Sequence, residues 1–256
     1  MSVHSPMGIV IENGSLQFSD ASSPLFSDLN LRFPEGSFSS VLGKSGCGKT
    51  SLLRLLAGLL PEDVHWSGSI QSGFEHNLSE SIAYMAQQDL LMPWLNVLEN
   101  VCFSDRFSQK KLSKQQQAER KQQASKLLSK LGLEGQEDVY PRQLSGGMKQ
   151  RVALARTLMQ DKPVVLMDEP FSALDAVTRY RLQDLACEML EGKTVVLITH
   201  DPQEALRLSD HIYLMQSQPV EIETVPVPSG DTPRLISAEM AELQQSIIEQ
   251  LGGRDD

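Results

Sequence analysis

Gly43-Lys44-Ser45-Gly46-Cys47-Gly48-Lys49-Thr50 fits the pattern Gly-x-x-x-x-Gly-Lys-Thr. The residues before it, Phe38 to Leu42, read as a strand. Those after it, Ser51 to Leu60, carry Leu52, Leu55, Leu56 and Leu59 at helical spacing. The loop therefore joins a strand to a helix start. A helix start offers unpaired backbone N–H groups and the positive end of the helix dipole, and both attract phosphate. Glycines let the backbone wrap an anion without Cβ clashes. In this pattern Lys49 is expected on the β- and γ-phosphates, with Mg²⁺ held by the Thr50 hydroxyl. A Gly-rich turn with no ligand is the plain alternative, and the strand–loop–helix setting argues against it. Cys47 reads as a small loop filler rather than a catalytic thiol.

Far downstream, Lys162-Pro163 opens a second strand. Its run Val164-Val165-Leu166-Met167 is too apolar to be anything but buried, and it ends in Asp168-Glu169. Strand ends in open α/β sheets face the ligand crevice. Asp168 is expected in the Mg²⁺ shell, and Glu169 as the general base that polarises the attacking water. Taken alone, such a pair is an ordinary solvent-facing strand end; beside a phosphate loop it is not. A third apolar strand, Thr194 to Ile198, delivers His200 at its end. A lone histidine is usually structural, but this one is placed to act.

Leu144-Ser145-Gly146-Gly147-Met148-Lys149-Gln150-Arg151 precedes a helix carrying Val152, Leu154, Ala155 and Leu158. It makes a second helix-start anion site. This segment resembles the signature motif of ATP-binding cassette (ABC) ATPases, and the other family elements follow in order over roughly residues 8–218. The resemblance implies an α/β fold: a P-loop NTPase cassette with a mixed central sheet, a small antiparallel β subdomain and a helical subdomain at about 88–160. It implies ATP and Mg²⁺ as cofactors. The nucleotide would be held by Gly43, Lys44, Ser45, Gly46, Cys47, Gly48, Lys49, Thr50 and Ser51, with Phe18 stacking on adenine. Gln87 matches the lid glutamine that senses Mg²⁺ and the γ-phosphate. Ser172-Ala173-Leu174-Asp175 resembles the D-loop. His200 resembles the switch histidine that bonds the γ-phosphate. In the family, the signature of one copy covers the nucleotide on the phosphate loop of a second. Ser145, Gly146 and Gly147 would then act on a partner's ATP in a head-to-tail homodimer. Phe18 stands where tyrosine is more frequent, and its ring can still stack. Ala86 stands where many relatives have phenylalanine.

Composition narrows the class. The chain has 256 residues, a net charge of −10 and a pI of about 5.0. A nucleic-acid surface would be basic, so no nucleic-acid partner is expected. Three cysteines, Cys47, Cys102 and Cys187, lack metal-ligand spacing and suit a reducing compartment. Met1 to Gly14 has no export signal. No run approaches the ~20 apolar residues that span a bilayer.

Ile9 to Phe18 and Leu25 to Phe33 alternate as strands. Leu112 to Leu131 is a polar helix with Ser113 as its N-cap and Gly132 as its stop. A short tail, 219–256, follows the cassette. In it Pro219 to Pro233 reads as irregular. Ser237 to Leu251 reads as a helix with Met240, Leu243, Ile247 and Leu251 on one side, and Gly252 to Asp256 should fray. The motif set occurs once, so one cassette is expected.

Leu90-Leu91-Met92-Pro93-Trp94-Leu95 follows the lid glutamine at once. In importers of the family this region borders a groove that receives a permease helix; core packing is the alternative for Trp94. Asp89 to Val101, with Pro93-Trp94-Leu95 and Leu98-Glu99-Asn100-Val101, and Tyr140-Pro141-Arg142-Gln143-Leu144-Ser145 resemble the cassettes of nitrate, sulfonate, taurine and thiamine-precursor (hydroxymethylpyrimidine) importers. The short tail and Ala86 lean toward the pyrimidine branch. The expectation is an ATPase subunit peripheral to the cytoplasmic face of the inner membrane, driving separate permease subunits and, indirectly, a periplasmic solute-binding protein. A repair ATPase would need a long coiled-coil insert, and a ribosomal one usually carries two cassettes; the chain has neither.

Overall fold

Hydrophobic alternation and turn chemistry produce sixteen elements in the computed structural model, which describes residues 8–74, 77–107, 112–216 and 220–252. In chain order they are β1 (Ile9–Phe18), β2 (Phe26–Phe33), β3 (Phe38–Gly43), α1 (Lys49–Ala57), β4 (Val64–Ser72), β5 (Ile82–Met85), α2 (Val97–Val101) and α3 (Lys114–Lys130). Then follow α4 (Gly146–Leu158), β6 (Val164–Asp168), α5 (Ala176–Met189), β7 (Thr194–Ile198), α6 (Pro202–Leu208), β8 (His211–Gln216), β9 (Glu221–Val225) and α7 (Ala238–Gly252). Short 3₁₀ turns lie between some of them. Two compact units emerge: 1–82 with 163–169 and 191–256, and 83–162 with 170–190.

In the first unit, β1 lies between β2 and β4 in an antiparallel sheet. Ile9 and Ile11 are buried by alternation, and a register shift between Ile11 and Leu16 changes the phase so that Leu16 is buried too. Phe18 ends β1 opposite Val64. The larger sheet has the order β5-β6-β7-β3-β8-β9, and β5 enters it from this unit through Ile82. Strands β6, β7, β3 and β8 run parallel, and every residue of β6, β7 and β3 is buried. Burial on both faces explains the apolar runs Val164–Met167 and Val195–Ile198, while β3 also buries Ser39 and Ser40.

β9 corrects the irregular reading of the tail. Glu221 to Val225 pairs antiparallel with β8, and Val225 is buried against Leu42, Ile212 and Leu214. The prolines flank the strand rather than interrupt it, so the ladder keeps its donors; Pro219 lies outside the described residues. α7 lays Met240 and Ile247 into this same cluster, with Leu243 and Leu251 beside them. Residues 253–256, read as fraying, also lie outside the described set.

In the second unit, α2, α3 and α4 pack on one another. Ser113 caps α3 with Gln116 in a reciprocal capping box, and Asn96 and Glu99 do the same for α2. Gly132, at φ 69°, follows α3 as expected. Among the described residues no helix is long and apolar enough to cross a membrane.

Candidate active site

Parallel registry brings three chain segments to one sheet edge. Asp168 pairs with Ile198 across β6 and β7, and Val41 pairs with Ile198 across β3 and β7. The phosphate loop, the carboxylate pair and the histidine therefore leave the carboxyl ends of adjacent strands, where open α/β sheets place ligands.

The loop between β3 and α1 is shaped by its glycines. A Cβ on Gly43 would lie 2.4 Å from the Met215 carbonyl oxygen and 2.7 Å from Cys47 Sγ. Gly48 has φ 103°, a left-handed position that favours glycine, and it caps α1 without a side-chain hydrogen bond. The α1 N-terminus thus keeps backbone donors free of any capping side chain. Lys44, Ser45 and Gly46 form the exposed rim, and Thr50 and Ser51 are half-buried in the first turn. Lys49 is buried; its ammonium donates to the carbonyls of Gly43 (2.7 Å) and Lys44 (2.8 Å). That holds a positive charge across the mouth of the loop. Burial pushes the Cys47 thiol pKa up, against the pull of Lys49, so the thiol stays protonated as a filler should.

The Thr50 hydroxyl donates to Asp168 Oδ2 at 2.7 Å. Asp168 is buried, and desolvation raises its carboxyl pKa although the Thr50 bond opposes it. A buried carboxylate facing a hydroxyl is a hard oxygen pair suited to Mg²⁺ beside phosphate oxygens. Next to it Glu169 adopts φ 49°, strained for a residue with a Cβ, and its N–H donates to the Ile198 carbonyl at 2.9 Å. This turn brings Glu169 Oε1 to 3.1 Å from His200 Nδ1. Behind the histidine, the Thr199 hydroxyl donates to the buried Glu204 carboxylate, which ties the β7 end to α6.

The second unit holds the remaining predicted residues. Ser145 caps α4 by accepting the Met148 N–H at 3.3 Å, and Gly146 and Gly147 form its first turn. A Cβ on Gly147 would approach the Ala173 carbonyl oxygen at 3.1 Å. Asp175 caps α5 by accepting the Thr178 N–H, a bond that lowers its pKa. Gln87 is exposed and lines a cavity of about 420 Å³ together with Ala86, Gly146, Gln150, Ser172 and Ala173.

Two residues had been given no role in the sequence. Gln150 is buried on α4; its amide donates to Ser172 Oγ (3.3 Å) and accepts the Ala173 N–H (2.9 Å). It locks the signature helix to the D-loop-like turn. The signal was a polar residue sharing a helical face with Ala153, Leu154 and Thr157. Arg156 donates to the carbonyls of Asp89 and Leu90; nothing local in the sequence marks it.

A family profile described as ABC transporter matches residues 26–172. The chain belongs to that family. A Haemophilus influenzae protein described as an uncharacterized ABC transporter ATP-binding protein is 43% identical over 247 residues, covering 95% of this chain and 98% of its own length. An aliphatic sulfonates import ATP-binding protein of Pseudomonas savastanoi pv. phaseolicola is 41% identical over 212 residues, covering 82% and 81%. An ATP-binding cassette solved as a dimer in a post-hydrolysis state with ADP and Pi superposes with a TM-score of 0.70 at 30% identity, covering 80% of this chain and 93% of that one. The family and the cassette fold expected from the motifs are met, and the chain is an ATP-binding ABC ATPase.

Proposed function

We propose that this ABC ATPase is the energy-coupling subunit of an importer for a small organic solute or anion, peripheral to the cytoplasmic membrane face and docked on separate permease subunits. The observation that carries this reading is the import ATPase relative at 41% identity over four-fifths of both chains. The sulfonate class rests on that relative; the pyrimidine class rests on Ala86 alone.

In this reading two copies sandwich each ATP. Phe18 stacks on adenine, and the loop glycines, Ser45 and Ser51 surround the phosphates. Lys49 swings from its carbonyls onto the β- and γ-phosphates. Thr50 and Asp168 would hold Mg²⁺, with Gln87 proposed as its further ligand, and the ion would supply neutralisation of phosphate charge. Glu169 takes the proton of the attacking water, and His200 orients Glu169 and the γ-phosphate. Ser145, Gly146 and Gly147 close over the ATP of the other copy, and Asp175 lies in the turn that faces it. Deleting the gene should abolish growth on an aliphatic sulfonate as sole sulfur source while sparing growth on sulfate. Unimpaired growth with lost hydroxymethylpyrimidine uptake would shift the solute to the other class.

Trp94 is 68% exposed and Leu90 54% exposed, so neither is core. Exposed apolar side chains four residues apart on one loop suit a permease helix. Trp94→Ala should cut solute transport roughly thirtyfold, the loss of one interface anchor of about 2 kcal/mol. The isolated chain should keep its ATPase activity and its stability to within about 0.5 kcal/mol. Vesicle transport, phosphate release and a thermal melt measure the three; an equal fall in transport and ATPase would remove Trp94 from the docking surface.

A further inference from the structure

The exposed loop after Gln87 is gripped from two directions within the second unit. At its near end the Arg156 guanidinium forks onto two successive carbonyls, Nη2 to Asp89 (2.7 Å) and Nη1 to Leu90 (2.8 Å). Asp89 Oδ1 also accepts the Leu91 N–H at 3.1 Å. At its far end the Asn100 amide accepts the Met92 N–H (2.8 Å) and donates to the carbonyls of Met92 (3.2 Å), Leu95 (3.0 Å) and Asn96 (3.0 Å). Asn100 belongs to α2 and braces the loop from below. Arg156 belongs to α4, the helix that begins at the signature.

Between these grips Leu90 is held at φ 45°. That conformation is strained for a residue with a Cβ, and it persists only where surroundings over-determine it. The guanidinium fork is what over-determines it here: two charge-assisted bonds to the Asp89 and Leu90 carbonyls hold the two peptide planes that flank Leu90. The opposite part of α4 is also tied down. Gln150 holds Ser172 and Ala173, roughly 9 Å from Arg156 along the axis at about 1.5 Å per residue. α4 is thus a rod fastened to the D-loop-like turn by an amide and to the Leu90–Trp94 loop by a guanidinium.

We infer that Arg156 is a positioning residue that makes the Leu90–Trp94 loop follow α4 when ATP closes the signature onto a partner's nucleotide. This rests on the shared-site dimer and docking loop proposed above. Without the fork, Leu90 relaxes out of the left-handed region and the loop loses its fixed relation to the helix. ATP-driven movement of α4 then no longer reaches Trp94.

The test needs no permease. The chain has two tryptophans, so Trp66→Phe leaves Trp94 as the reporter, and Glu169→Gln holds ATP in place. In that full-length background, Trp94 emission and anisotropy are recorded with and without MgATP, and gel filtration reads dimer formation separately. Arg156→Met should still dimerise with ATP, while the ATP-dependent Trp94 response falls about two- to thirtyfold, the span of a coupling change of 0.5–2 kcal/mol. Arg156→Lys keeps the charge and stem but not the fork, so it should give an intermediate response. Should Arg156→Met fail to fold, the lysine variant decides: a reduced response supports the inference, and a full one overturns it. An undiminished response in Arg156→Met overturns it too. So does ATP-driven dimerisation without any Trp94 response in the parent. Failure of the parent to dimerise with ATP would sink the shared-site reading, and this inference with it.

Discussion

Glu169→Gln should bind ATP normally, hydrolyse it about 10²- to 10⁴-fold more slowly, and accumulate as a closed dimer. The substitution keeps nearly everything except basicity. The glutamine side chain has the same length, and its amide can still bond the His200 ring, which lies 3.1 Å from Glu169 Oε1. The left-handed backbone at φ 49° and the N–H bond to Ile198 do not involve the carboxylate, so the turn survives. What disappears is a group able to accept a proton from water. Phosphate release and gel filtration with ATP measure the two consequences. A variant that remains monomeric under all nucleotide conditions would count against the sandwiched site, and one that hydrolyses ATP at the parent rate would remove Glu169 from the base role.

Lys49→Ala should instead lose nucleotide affinity itself, by about ten- to hundredfold, the worth of a charged hydrogen bond of 1.5–3 kcal/mol. The ammonium is buried and already shared between the Gly43 and Lys44 carbonyls. Those bonds hold it at the loop mouth, so less ordering remains to be done when phosphate arrives. Alanine removes the charge and leaves the two carbonyl oxygens without this donor, which loosens the loop. Arginine would not restore it: the broader guanidinium does not fit where a point charge bridges two closely spaced oxygens. Titration of a fluorescent ATP analogue decides the matter; an unchanged dissociation constant would show that the α1 N-terminus alone carries phosphate binding.

These two expectations differ because of where each residue acts. Lys49 touches the ground-state nucleotide, so its loss falls on binding. Glu169 acts on the water, so its loss falls on the chemical step.

Much of this arrangement was legible without coordinates because it is encoded locally. The phosphate loop needs particular glycines between a strand and a helix, and Gly48 does sit at φ 103° as the α1 cap. Ser113 and Ser145 were readable as helix starts because a cap is a bond between residues three apart. The buried parallel strands β6 and β7 were readable because burial on both faces favours the apolar runs Val164–Met167 and Val195–Ile198. β9 was hidden by its prolines, whose local preference for irregular backbone was overridden by pairing with β8 and by the burial of Val225.

The sequence alone settled the family, the cassette fold and the ATP-binding chemistry, since motif order and residue type carry them. Tertiary structure decided which side chains meet: Glu169 with His200, Gln150 with Ser172 and Ala173, Arg156 with a carbonyl pair 66 and 67 positions earlier, and Trp94 with solvent. The reason is physical. A glycine or a cap announces its own local geometry, whereas a long polar side chain or a tryptophan takes its role from whatever the folded chain brings within about 3 Å of it or leaves to water.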